Sequence, residues 1–153
     1  MAPFLVLVTV TLTFRAVGAL GVDFVDDWPA SLAVGLSAMF LLTASAHFVP
    51  ASRRAGLIAM VPPRLPNPAM LVTATGILEI LGAVGLLIPT ELVPGVRAAS
   101  AIGLALMIIA MFPANVYAAA SRRHPAAPHT PLALRTILQI VFVASSVIVA
   151  VTS

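Results

Sequence analysis

Apolar residues run along this chain in five long stretches, at positions 3–20, 30–49, 69–89, 96–119 and 132–151. Each approaches or meets the ~20 residues that an α-helix needs to cross ~30 Å of hydrocarbon. Short polar or proline-rich links separate them. Asp23, Asp26, Asp27 and Trp28 occupy the first link, and Arg53, Arg54 and Arg64 the second. Glu91, Pro94 and Arg97 fall in or beside the third, and Arg122, Arg123, His124 and His129 in the fourth. The pattern predicts an all-α membrane protein, a compact bundle of about five transmembrane helices forming one transmembrane domain over residues 1–153. Positions 60–68 read Met-Val-Pro-Pro-Arg-Leu-Pro-Asn-Pro. Prolines there remove backbone donors and clash with a helical path, which predicts a stiff interfacial loop leading into the third span.

Composition strengthens this picture. Hydrophobic residues make up 61% of the 153 positions and charged residues only 8%, with a mean hydropathy of +1.12. A soluble domain is about half apolar and about a quarter charged, and one of this size leaves roughly 30% of its chain surface in water. A bilayer is therefore the expected solvent. The first stretch has a competing reading as a secretory signal, with small residues at 16–19 for cleavage. It lacks a basic residue over positions 1–4, and Arg15 interrupts the region before the cut, so a retained helix is expected.

Charge sets an orientation. Lysine is absent, and eight arginines face five acidic residues. Links two and four carry five of those arginines and no acid, whereas link one carries three aspartates and no arginine. The positive-inside rule places links two and four in the cytoplasm, the N-terminus inside and Ser153 outside. The same distribution argues against nucleic-acid binding, because the basic residues sit in short loops rather than on a domain-sized face. Cysteine is absent, which excludes disulfides, thiolate metal sites and direct thiol exchange by this chain.

An ionisable side chain at mid-bilayer costs ~2.5–3.5 kcal/mol on insertion scales, so each one needs a partner or a purpose. Glu79 lies ten residues into the third stretch, about 15 Å deep. Its helical neighbours Thr75, Gly76, Gly82 and Ala83 form a small, slightly polar face, which turns the carboxyl into the bundle. Gly76, Gly82 and Gly85 are read as a packing face, since no strand precedes them to make a nucleotide loop. Two roles stand side by side for Glu79: a structural group, protonated or hydrogen-bonded across helices, and a proton, cation or ligand site. Arg15, in the first span, has Glu79 and Asp23 as its expected partners, with snorkelling to the surface as the alternative. A second cluster gathers His47, Asn115, Tyr117, Arg135 and Gln139 near the arginine-rich side. Arg135, Gln139, Phe142 and Ser146 recur at helical steps. Either a vestibule or ordinary interhelical bonding follows from that grouping. Haem is disfavoured because only His47 lies at a span, and no metal site is expected.

Several motifs resemble the DoxX family of bacterial membrane proteins. They are Pro62-Pro63-x-Leu-Pro, the run from Thr75 through Gly-x-x-Glu79 to Pro89, Met111-Phe-Pro-Ala-Asn-Val-Tyr117 and Leu134-Arg-Thr-Ile-Leu-Gln139. They keep the family's order over residues 31–153. The resemblance implies a four-helix core, to which the first helix is an addition. It also implies matching positions at Glu79, Pro113, Asn115, Arg135 and Gln139, and a redox or oxidative-stress association in a bacterial inner membrane. Missing cysteines weaken any carry-over of thiol chemistry. The leading expectation is an accessory or assembly subunit, not an enzyme, with the lipid bilayer and other membrane or redox proteins as partners and a homo-oligomer as an option. No cofactor is expected. The alternatives are a site for a quinone or other apolar molecule around Glu79, and a small proton-coupled transporter.

Overall fold

The computed structural model describes residues 1–121 and 130–153. The expectations for Arg122, Arg123, His124 and His129 lie outside the described residues. Helices α1 (Ala2–Ala19), α2 (Trp28–Ser45), α3 (Ala51–Met60), α4 (Pro68–Leu86), α5 (Val96–Ala110), α6 (Phe112–Ser121) and α7 (Leu132–Thr152) follow in order, with a 3-10 turn at Asp23–Val25. Among the described residues there is no strand. Among the described residues, five segments are long and apolar enough to cross a bilayer: α1, α2, α4, α5 continued by α6, and α7. The chain is an all-α, multi-pass membrane bundle.

Local chemistry sets the helix starts. The Asp27 carboxylate accepts the Ala30 N–H at 2.6 Å and caps α2, satisfying one of the donors that a helix N-terminus leaves orphaned. Asn67 precedes α4 in the left-handed region at φ 47°, and Gly95 precedes α5 at φ 79°, conformations that asparagine and glycine adopt most readily. Pro68 then opens α4, where its missing N–H costs nothing.

α2, α4, α5 and α7 close a four-membered ring in which each packs on the next and α7 returns to α2, while α1 lies outside against α2. α2 is the most enclosed helix, with 56% of its span buried against 17–33% for the other four. The core joins Leu7, Leu36, Met39, Phe40, Leu86, Leu104 and Val149. Outward positions such as Leu81, Leu106 and Ile140 are more than 60% exposed, a surface that only acyl chains satisfy over such an area.

Two departures from the hydropathy pattern matter for the site. The second span ends at Ser45 rather than at position 49, and residues 46–50 form a turn. Pro50 disfavours helix at Val49, and the Arg54 side chain binds the turn's backbone at the His47 carbonyl. Within the second link lies a further helix, α3, which the polar arginine pattern concealed and which packs against α4 and α6. The fourth span is broken at Met111. Pro113 has no N–H to return to the carbonyl one turn earlier, which separates α5 from α6.

Candidate functional site

Glu79 is the most completely buried acid of the bundle, 5% exposed in the middle of α4. Thr43, near the end of α2, donates its hydroxyl to Glu79 Oε2 at 3.0 Å. His47, in the turn just beyond α2, places Nε2 3.7 Å from Glu79 Oε1. Thr43 and His47 stand four residues apart, one helical turn, so both point at the same carboxyl. The other imidazole nitrogen, Nδ1, donates to the Val72 carbonyl at 2.7 Å, and Thr75 Oγ1 lies 3.3 Å from it. Glu79 thus faces α2 through one carboxyl oxygen and the turn that follows α2 through the other.

The turn holding His47 is fixed from outside. Arg54, on α3, donates to the His47 carbonyl at 2.6 Å and to Thr73 Oγ1 at 2.9 Å. Gly76 makes the close approach possible, because a Cβ there would lie 2.6 Å from His47 Cβ. Burial pushes the His47 imidazole below its ordinary value of 6.5; the Val72 carbonyl bond opposes that fall and the nearby Arg54 charge adds to it.

The second polar group is separate. Asn115 on α6 donates to Gln139 Oε1 at 3.3 Å and accepts from Arg135 Nη1 at 3.2 Å. Gln139 also donates to the Ile108 carbonyl at 3.0 Å, and Arg135 Nε to the Thr130 carbonyl at 2.9 Å. These bonds pin α7 across the break between α5 and α6, where the bend leaves carbonyls to be satisfied. Interhelical bonds of this kind average about 0.6 kcal/mol in membranes. A double-mutant cycle of Asn115→Ala and Gln139→Ala should return a coupling of that order, measured by unfolding in mild detergent.

The sequence grouping is corrected at one point: His47 belongs with Glu79 and not with Asn115, Arg135 and Gln139. Among the partners left open for Arg15, Glu79 is not the one it meets. Its guanidinium lies 5.6 Å from the ring of Trp28, the first residue of α2, whereas Glu79 touches Thr43, about 22 Å further along that helix at 1.5 Å per residue. Arg15 Nε is buried with no hydrogen-bond partner. The glycines divide: Gly76 faces the His47 turn, while Gly82 and Gly85 face Leu104 and Ser100 of α5.

Sequence reasoning passed over Arg97, which is 9% exposed. It donates Nε to the Leu86 carbonyl at the end of α4 and lies 5.9 Å from the Phe24 ring. A position at the start of an apolar run gave no sign of burial. Thr43 and Ser37 were also missed, although the four-residue step from Thr43 to His47 was a readable signal. Ser37 donates to the Ala83 carbonyl at 2.8 Å across the α2–α4 contact.

An open cleft of ≈ 370 Å³ lies between α4 and α5, lined by Leu78, Gly82, Ser100, Leu104 and Met107 among others. Glu79 does not line it, so the carboxyl and the apolar cleft do not form one ligand site. Among the described residues, no group of three histidine or acidic side chains is placed to hold a metal ion.

A family model described as "Domain of unknown function (DUF8561)" matches residues 36–150. No curated protein and no solved structure matches the chain. The matched segment begins inside α2 and takes in Glu79, His47 and the Asn115–Arg135–Gln139 group, leaving α1 and Arg15 before it. The chain belongs to the DUF8561 family.

Proposed function

We propose that this chain is a non-catalytic accessory or assembly subunit of a membrane redox or oxidative-stress system, as its resemblance to the DoxX family implies. The observation that supports the reading is where the buried polar groups go. Glu79, Thr43, His47, Asn115, Arg135 and Gln139 bind one another or backbone carbonyls across helices. Such bonds build a rigid scaffold. In this reading the protein sits in a bacterial inner membrane, with links two and four and the N-terminus cytoplasmic and the C-terminus outside. The arginine distribution supports that orientation.

Two experiments test it. Deleting the gene in its own host should sensitise cells to oxidants, and mild-detergent purification should return one membrane redox subunit in constant proportion. Normal oxidant tolerance together with a chain that purifies alone overturns the proposal. The chain's lack of cysteine makes topology directly measurable. Ser153→Cys and Asp26→Cys should react with an impermeant maleimide added outside, and Arg53→Cys should not; the reverse pattern inverts the assigned orientation.

The buried His47–Glu79 pair favours a second reading, proton-coupled transport. Proteoliposomes that carry the wild type and stay flat across an imposed pH gradient remove it.

A further inference from the structure

The carbonyl of Val72 fixes the protonation of the imidazole beside Glu79. A carbonyl oxygen only accepts, and it lies 2.7 Å from His47 Nδ1, so Nδ1 carries the hydrogen. A neutral His47 then turns its bare Nε2 lone pair toward Glu79 Oε1, 3.7 Å away. A carboxylate facing a bare imidazole nitrogen sets two electron-rich atoms against each other. Both residues are at least 95% buried, with little water to separate them. One proton in the gap removes the conflict, and a second would leave an uncompensated cation.

We propose that His47 and Glu79 form a one-proton site, which binds a single exchangeable proton between Nε2 and Oε1 throughout the pH range in which the fold is intact. The proton has two places. It rests on Oε1 as a carboxylic acid beside neutral imidazole, or it crosses to Nε2 to give imidazolium beside carboxylate; either way the pair carries no net charge. The groups that face it are few. Thr43 binds the other carboxyl oxygen, Thr75 flanks Nδ1, and the Arg54 cation of α3 contacts the His47 carbonyl. The site lies beneath the turn that Arg54 clamps. This inference goes beyond the accessory-subunit reading and is independent of it, since a cell phenotype does not report the protonation of this pair.

The test is magnetic resonance on the full chain in lipid nanodiscs. Substituting His124→Gln and His129→Gln leaves His47 as the sole imidazole, and Glu91→Gln leaves Glu79 as the sole glutamate. Nitrogen-15 shifts read each imidazole nitrogen and carbon-13 shifts read the carboxyl. The expected result is a protonated Nδ1 and one further proton on the pair, seen as bare Nε2 with a carboxylic acid or as imidazolium with a carboxylate. A bare Nδ1, a carboxylate beside neutral imidazole, or two protons on the pair each overturn the proposal. Glu79→Gln supplies a second reading on a neutral isostere: Nδ1 should stay protonated with Nε2 accepting from the amide, and loss of the Nδ1 hydrogen there counts against the Val72 constraint.

Discussion

Gly76→Val is expected to destabilise the bundle by about 1–3 kcal/mol or more, the range for overpacking a tight contact. The added Cβ would lie 2.6 Å from His47 Cβ and 2.9 Å from both His47 Cγ and Phe48 Cε2. His47 Cβ and Cγ lie at the root of their side chain, and the turn that carries them is tied to Arg54 and Val72. The Phe48 ring can turn away but the root of the His47 side chain cannot, so α4 must move away from α2 and Glu79 loses its partners. Gly103→Ala is the matched control. A Cβ at Gly103 meets nothing within 4 Å, and alanine restricts the unfolded chain, so this change should be neutral or stabilise by up to about 1 kcal/mol. Thermal unfolding in the same detergent compares the two, and an unaltered midpoint for Gly76→Val would show that the helices are not held at the observed distance.

Glu79→Ala is expected to cost about 1–3 kcal/mol, because it leaves buried His47 Nε2 without its carboxyl and returns the Thr43 hydroxyl to the Phe40 carbonyl of its own helix, ending the bond between α2 and α4. Insertion scales alone give a gain of similar size, because an acid at mid-bilayer is itself unfavourable. That term cancels to first order, since the glutamate sits in hydrocarbon in both the packed bundle and the separated helices. Loss of interhelical bonding is what remains. Glu79→Gln keeps an acceptor for Thr43 and offers an N–H to Nε2, so it should fall well short of the alanine effect. Equal losses for the two variants would show that charge, not hydrogen bonding, is what the site uses.

Legibility in the sequence followed the range of the physics. Hydropathy over twenty residues located the spans to within a few positions, because the demand for helix in hydrocarbon acts on each segment alone. The inward face of Glu79 was readable from Gly76 and Gly82 at helical steps, a local property again. α3 was not readable, since its arginines resemble an ordinary polar link until Arg54 is seen gripping the His47 carbonyl. The pairing of Arg15 stayed open in the sequence for a different reason. Depth along the chain says how far a residue lies from an interface, not which neighbouring helix presents a partner at that height, and α1 packs on α2 rather than on α4.

By itself the sequence determined the solvent of this protein, its helical class, the number of long apolar helices and the inward direction of its one mid-span acid. Those follow from composition and from a 3.6-residue period, which a single helix expresses without neighbours. Only the tertiary structure decided that α2, α4, α5 and α7 form the ring. It alone set His47 against Glu79, put Arg15 on Trp28 and buried Arg97. Such choices depend on the order in which helices pack and the height at which they cross, and both are fixed by contacts between segments far apart in the chain.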